Sequence, residues 1–326
     1  MVVGSAGQGT RLLTKSQVAQ LIDMPAVMEA VEAALVAHAR GETQMPPKVY
    51  LEFTNHMGDL RAMPALVGER AGVKWINSHP NNPLRFHLPT VRGVYLLSDP
   101  ANGDLLAMMD ATLITALRTG ASAGLATRVL ARGDARTVGI IGCGAQAPYL
   151  LSAVLAARAP TRILVADRDE EKAQVFATSV GAQAVSLEAA AACDIVCTAT
   201  PSREPLVRRE WLQPGAHINA MGADAHGKQE LQTEILREAL VIVDDLVQAQ
   251  GSGEVNVPLA REELALSDLA GTLGAVLAGD AAGRLNEEDL TVFDSTGLAI
   301  QDVAVAALAY ERAVAQGVGT ELDFFA

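Results

Sequence analysis

The chain has 326 residues, room for two domains of ordinary size, and carries a formal net charge of −13 with half of its residues hydrophobic and only 4% aromatic. An acidic surface repels phosphate backbones and anionic lipid, which disfavours nucleic acid and membranes as partners. No stretch reads as a membrane span, because Gly142, Gly144, Gln146 and Pro148 interrupt the apolar run over 137–157.

The Gly/Ser-rich opening, residues 1–10, lacks the apolar core of a secretory signal. The three cysteines, Cys143, Cys193 and Cys197, are an odd number with no metal-like pairing to histidine, and they read as free buried thiols in a reducing compartment. The cytoplasm is the expected location. No His/Cys/carboxylate cluster has metal-ligand spacing, so no metal is expected.

In chain order, the first 40 residues read as helical. Thr14 and Gln17 have the spacing of a capping box, and 24–40 runs in helical period with Gly41 as a stop. From Pro47 to Met109 the pattern changes to short strands, at 48–53, 60–63, 73–76 and 91–98, parted by Gly, Pro and Asn. Asp110 then caps a long helix through Leu113, Leu117, Ala121 and Leu125 to Leu130. From Thr137 onward strands and helices alternate, with apolar strands at 138–142, 163–167, 195–199, 217–221 and 241–244, a last strand ending at Phe293, and a closing helix over 298–315. Apolar strands joined by helical crossovers predict a parallel sheet covered on both faces. The expected fold is α/β. An α+β domain with a mainly antiparallel sheet takes 1–122 and recovers the C-terminal helix, 303–326, while a parallel-sheet domain takes 123–302.

The strongest motif is Gly142-Cys143-Gly144-Ala145-Gln146-Ala147, between the strand Val138-Gly139-Ile140-Ile141 and a helix with Leu150, Leu151, Val154 and Leu155 on its apolar face. Gly142 permits a tight turn, Gly144 lets the backbone approach a pyrophosphate, and Ala147 allows close helix–strand packing. Phosphates would sit at the helix N-terminus, with Pro148 harmless in its first turn. Asp167 ends the next strand, twenty residues past Ala147. A carboxylate there accepts from ribose hydroxyls and repels a 2′-phosphate, whereas Arg168 beside it would stack on adenine or tolerate one. The parallel-sheet domain is thus expected to be Rossmann-type and to bind NAD, with NADP left open.

Several polar residues stand in apolar surroundings. Lys74 lies in Ala71-Gly72-Val73-Lys74-Trp75-Ile76, where spacing alone favours a solvent-facing lysine; a buried one would have a depressed pKa and serve as an acid or base. Arg118 sits in an almost uncharged helix turn, either reaching out to solvent or holding a fixed anion. Read alone, Asp224 is a turn former and Lys48 and Arg61 are solvated strand residues; His79 and His87 read as loop residues.

Taken together, the segments Gly72-Val73-Lys74-Trp75, Leu88-Pro89-Thr90-Val91, Ala116-Leu117-Arg118-Thr119-Gly120-Ala121, the glycine loop, Met221-Gly222-Ala223-Asp224 and Asp294-Ser295-Thr296-Gly297 resemble, in this order, the ornithine cyclodeaminase/mu-crystallin family. The resemblance covers nearly the whole chain and implies a Rossmann domain plus a substrate domain that dimerises through its sheet. It implies that Lys74 holds a substrate carboxylate and assists proton transfer, and that Asp224 is the acid/base residue activating water or the substrate amine. Lys48, Arg61 and Arg118 would bind the carboxylate. Thr90, Arg118, Thr119, Gly142, Gly144, Ala145, Gln146, Ala147, Asp167 and Arg168 would hold the phosphate and adenosine parts of NAD. Thr200, Met221, Gly222, Lys228 and Ser295 would surround its nicotinamide half.

One departure separates branches of that family. Cyclodeaminases carry a glutamate three residues before the proline of a Met-Pro pair; here Arg61 stands there, in Arg61-Ala62-Met63-Pro64. A cation facing the ornithine ammonium is unfavourable. With Lys48 similar to the archaeal-type alanine dehydrogenase branch, the expectation is an NAD-dependent oxidoreductase acting on the C–N bond of a small L-amino or imino acid, an alanine dehydrogenase or ketimine reductase. The alternatives are an ornithine cyclodeaminase and, of another class, a mu-crystallin-like protein that carries a ligand alongside the nicotinamide cofactor.

Overall fold

The computed structural model describes residues 9–324; the opening stretch through Gln8 and the last two residues of the expected closing segment lie outside the described residues. The elements run β1 (Thr10–Leu13), α1 (Lys15–Leu21), α2 (Met24–Ala39), β2 (Thr43–Gln44), β3 (Val49–Phe53), β4 (Gly58–Val67), β5 (Arg70–Ser78), α3 (Asn82–Phe86), β6 (Val91–Ser98), β7 (Leu105–Asp110) and α4 (Ala111–Leu130). Then follow β8 (Thr137–Ile141), α5 (Ala147–Ala157), β9 (Arg162–Ala166), α6 (Glu170–Val180), β10 (Gln183–Ala184), α7 (Leu187–Ala191), β11 (Ile195–Thr198), β12 (His217–Ala220), α8 (Thr233–Glu238) and β13 (Leu240–Val243). The chain ends with α9 (Asn256–Ala260), β14 (Gly271–Thr272), α10 (Leu273–Ala278), β15 (Thr291–Asp294), α11 (Ala299–Gln316) and β16 (Thr320–Leu322).

The helix starts follow from local chemistry. Gln17 N–H reaches the Thr14 hydroxyl and Thr14 N–H reaches Gln17 Oε1, closing the capping box. Asp23 Oδ1 accepts from Ala26 N–H at 3.0 Å, and Asp110 Oδ1 accepts from Leu113 N–H at 2.8 Å.

Two compact units result, one of the described residues up to 118 with those from 299 onward, and the other of 119–298. The changeovers fall at Arg118/Thr119 and Leu298/Ala299 rather than at 122/123 and 302/303, because α4 runs through the first and α11 starts at the second.

The first unit holds an eight-stranded sheet in the order β16-β1-β7-β6-β5-β4-β2, with β3 also on β4. Every pairing is antiparallel except β1 with β7. Helix α11 packs on β4, β5 and β6 and on α2, so one sheet face is covered. Strand parity sends Lys74 and Ile76 to that face with Met63 and Tyr95, their neighbours in register, and sends Trp75 to the other. The hydrophobic residue is therefore the exposed one, 44% accessible, while Lys74 is 1% accessible, which corrects the solvent-facing lysine that spacing suggested.

The second unit is an eight-stranded, wholly parallel sheet in the order β10-β9-β8-β11-β12-β15-β13-β14. Its strands read as unbroken apolar runs because both faces are covered; Ile140, Val165, Val196, Ile218, Ile242 and Phe293 are all buried. Helix α7 lies so close to β8 that a Cβ on Gly139 would stand 1.9 Å from the Ala190 carbonyl oxygen. Since that atom is backbone, Gly139→Ala should lower the unfolding free energy by about 3 kcal/mol, read as an earlier midpoint in urea.

Candidate active site

In the first unit the covered sheet face carries a cluster of charge. Lys74 Nζ lies 2.7 Å from Asp302 Oδ2, and Arg118 Nε lies 3.3 Å from Asp302 Oδ1. Gln301 Oε1 accepts from Arg118 Nη1 at 3.4 Å. The Lys74 and Asp302 side chains are 1% and 0% accessible. Burial pulls the Lys74 pKa down from 10.5 to about 7; Asp302 opposes the fall, while Arg118 and Lys48 add to it. Tyr95, opposite Lys74 on β6, keeps its proton, because burial and then the Asp302 charge push its pKa well up. Arg61 shares this face but gives Nε and Nη2 to Asp59 at 2.8 and 3.1 Å and lies over the Tyr50 ring. That position thus holds an ion pair rather than a bare cation, and neither Lys48 nor Arg61 stands as an isolated solvated side chain. Lys74 and Arg118 thus share Asp302, Arg61 pairs with Asp59, and Lys48 lies close enough to Lys74 to lower its proton affinity, so several cations gather on this face.

In the second unit the predicted residues line the carboxyl edge of the parallel sheet: Gly142 after β8, Asp167 after β9, Thr200 after β11, Met221 and Gly222 after β12, Ser295 after β15. Gly142 has φ +96°, and a Cβ there would meet the Ala199 carbonyl oxygen at 2.7 Å, so the turn requires glycine. A Cβ at Gly144 would meet nothing within 4 Å, which leaves the backbone bare on that side. Gln146 Oε1 is buried without a hydrogen-bond partner at the start of α5. Asp167 Oδ2 accepts from Cys143 N–H at 2.8 Å and Oδ1 from Asp169 N–H at 3.0 Å, tying the glycine loop to the end of β9. A bare backbone, a helix N-terminus with an unused amide beside it and a carboxylate after the second strand are what an NAD pyrophosphate and ribose require.

Asp224 and Lys228 lie in the loop after β12, with Lys228 Nζ 2.5 Å from Asp224 Oδ1. Ser295 Oγ donates to Asp244 Oδ2 at 3.3 Å. Thr90 belongs to the first unit, where its carbonyl accepts from His79 N–H at 2.8 Å. His79 in turn stacks on Phe53. Cys143, Cys193 and Cys197 are all free and buried, and burial raises their pKa values to about 11, 11 and 12.

Comparison with known proteins bears on both halves. The sequence pattern of the ornithine cyclodeaminase/mu-crystallin family matches residues 8–317. Alanine dehydrogenase of Archaeoglobus fulgidus is 47% identical over 97% of this chain and 99% of its own. The solved structure of an archaeal alanine dehydrogenase dimer with bound NAD superposes with a TM-score of 0.93 at 47% identity, covering 97% of this chain and 99% of that one. Delta(1)-pyrroline-2-carboxylate reductase of Thermococcus litoralis, solved with NADH and L-proline, gives a TM-score of 0.92 at 34% identity, covering 96% of this chain and 100% of that one.

Two residues that hold this geometry escaped the sequence reading. Asp302 is half of a polar pair, Gln301-Asp302, inside an otherwise apolar stretch of α11; the logic applied to Arg118 applied there too. Glu230 gave no such signal, because it sits in a loop. Its carboxylate is fully buried and accepts from Thr200 N–H at 2.7 Å, the Thr198 hydroxyl at 2.6 Å and Gly222 N–H at 2.9 Å, clamping the loops after β11 and β12. Glu254 accepts from Glu230 N–H at 2.8 Å, and Asp294 accepts from Glu254 N–H at 2.7 Å, so each carboxylate holds the backbone of the next. Burial raises the pKa of all three, that of Asp294 to about 7. Glu230→Gln keeps the shape but turns an amide N–H toward a backbone donor; it should cost about 1–3 kcal/mol of stability in urea unfolding.

Proposed function

The chain belongs to the ornithine cyclodeaminase/mu-crystallin family, and on that premise we propose that it is an NAD-dependent oxidoreductase of the carbon–nitrogen bond, with L-alanine as the first substrate to test. The observation that carries this reading is a buried lysine whose pKa stands at about 7 within a cation-rich cluster on one sheet face. A group poised near neutrality both takes and gives a proton, and excess positive charge holds an amino-acid carboxylate.

NAD, when bound, supplies a hydride acceptor, and NADH a hydride donor. In this reading Gly142, Gly144, Ala145, Gln146 and Ala147 hold its pyrophosphate with Thr90, Arg118 and Thr119, and Asp167 with Arg168 holds its adenosine. Thr200, Met221, Gly222, Lys228 and Ser295 hold its nicotinamide half. Lys48 and Arg118 bind the substrate carboxylate, with Arg61 contributing through its pair with Asp59. Lys74 Nζ takes a proton from the substrate ammonium, leaving the neutral amine from which hydride departs. Asp224 accepts the proton of the water that attacks the resulting imine carbon. The carbinolamine then collapses to the 2-oxo acid, and its nitrogen leaves as ammonium, carrying the proton that Lys74 returns and the proton of the hydroxyl that becomes the carbonyl.

In the reducing direction the protonated Lys74 gives its proton to an imine nitrogen. A cyclic imino acid is therefore the second reading, supported by the Thermococcus litoralis relative solved with L-proline. The case against ornithine is narrower than Arg61 suggested, since Asp59 balances that guanidinium; it rests on Lys48 and Arg118, two cations close enough to Lys74 to lower its proton affinity.

We also propose a dimer formed by a second copy on the exposed sheet face of the first unit, where Val49, Leu51 and Trp75 are 54%, 55% and 44% accessible. Strand register puts them on one side with Leu60, Ala62 and Val94. The absence of any helix long and apolar enough to cross a membrane among the described residues, and the three free thiols, support a cytoplasmic home.

The test is absorbance at the NADH band with a panel of L-amino acids and NAD, and of 2-oxo acids with ammonia, or cyclic imines, and NADH. NADH formed from alanine and consumed by pyruvate with ammonia supports the dehydrogenase; consumption by a cyclic imine alone makes it a ketimine reductase. Ornithine turned to proline without NADH accumulating would overturn both. Lys74→Met should cut turnover by at least about a hundredfold and leave NAD affinity unchanged. The wild-type kcat/KM for the amino acid should rise with pH through about 7, as Lys74 loses its proton. Trp75→Glu should halve the mass seen by light scattering; an unchanged mass places the interface elsewhere.

A further inference from the structure

Asp302 enters neither the glycine motif nor any substrate contact assigned above, yet among the described residues of the first unit it is the least accessible charged side chain. It projects from α11 against the sheet, 2.7 Å from Lys74 Nζ on β5 and 3.3 Å from Arg118 Nε on α4, with its side chain inaccessible to water. The groups facing Lys74 can be taken element by element. β6 offers Tyr95, whose hydroxyl is buried without a hydrogen-bond partner; β4 offers Met63 in register, and Arg61, turned to Asp59, on the same face. The segment before β3 offers Lys48 and α4 offers Arg118, both of which disfavour a charged Lys74. α11 offers Gln301, engaged with Arg118, and Asp302. Among the described residues around Lys74, Asp302 is the carboxylate in contact with it, and every other charge named is either a cation or a carboxylate committed to Arg61.

We propose that Asp302 is a positioning residue that keeps Lys74 able to carry a proton, acting as the buried counter-charge that fixes the ammonium against α11 while Arg118 shares its other oxygen. The inference rests on the assignment of Lys74 as the proton-transferring group. A lysine removed from water among cations alone stays neutral at the pH of use and has no proton to return to a departing or arriving nitrogen. With Asp302 in place, the ammonium and amine forms lie close enough in free energy for both halves of the reaction. The second carboxylate oxygen lies 3.3 Å from Arg118 Nε, so one buried charge faces two of the groups assigned to the substrate.

The proposal is tested on the full-length protein without cofactor or substrate, by carbon-13 NMR of the lysine ε-carbons, with Lys74→Met identifying the Lys74 signal. In the wild type that signal should titrate at about 7. In Asp302→Asn its midpoint should fall by at least one pH unit, a tenfold loss of proton affinity, because the favourable charge is gone while burial, Arg118 and Lys48 remain. An unchanged midpoint in folded Asp302→Asn overturns the proposal. The pH profile of kcat/KM with the amino acid, which like the NMR reports the free enzyme, is read beside it: an acid-side limb that moves with the NMR midpoint supports the proposal. A midpoint that moves while the limb stays fixed sustains the role of Asp302 and removes Lys74 from the chemistry, which separates this inference from the reading it rests on. Should Asp302→Asn fail to fold at neutral pH, the double variant Lys74→Met/Asp302→Asn must recover the fold, since it also removes the buried lysine nitrogen left without its counter-charge. A double variant as unstable as the single one overturns the proposal.

Discussion

A lysine and an aspartate stand together where no water reaches either, and the first unit is built around their meeting. Each ion alone would cost several kcal/mol to bury, and losing one partner of such a pair commonly costs about 3–5 kcal/mol. The pair bridges α11 and β5, and leaving either member alone there is what would be costly. A hydrophobic pair of the same volume would serve stability equally well or better. What such a pair could not supply is a nitrogen whose proton affinity lies at about 7. The same contact thus accounts for the geometry of the unit and for its chemistry.

The second unit meets the opposite problem, with anions in excess. Glu230, Glu254, Asp244 and Asp294 are all buried at or near the carboxyl ends of the strands, where loops must be held still. Each accepts from backbone N–H groups. Asp244, for instance, accepts from Thr296 N–H and Gly297 N–H, each at 2.7 Å. Backbone donors cannot be rearranged by rotamer changes, so a carboxylate that gathers them fixes loop conformation in a way that a lysine or arginine partner would not. The loops carrying Thr200, Gly222 and Ser295 are framed in this manner, and the glycine loop is framed by Asp167.

Arg61 shows how a sound electrostatic argument changes when a neighbour appears. A guanidinium in place of a glutamate looks like a strong bar to a diamine substrate, but Asp59, two residues earlier, accepts both of its inward donors. On a strand, residues i and i+2 share a face, so this pairing was open to inspection once the segment was known to be a continuous strand. Lys74 carried the same lesson in reverse. Its hydrophobic neighbours suggested burial and its charge suggested exposure, and the parity of Ile76 decided for burial.

What the sequence by itself determined is whatever depends on local period and local chemistry. The parallel strands, the glycine turn, the capping box at Thr14 and the strand-ending Asp167 all follow from contacts between near neighbours in the chain, and the motif order was enough to identify the family. Only the tertiary structure decided which charges meet. Asp302 lies more than two hundred residues from Lys74 and Glu230 thirty from Thr200, and no local pattern encodes such pairings. They exist because α11 returns to the sheet of the first unit and because parallel strands bring their carboxyl ends to one edge. Long-range electrostatics depends on distances in space and on the exclusion of water, and both are fixed only once the chain has packed.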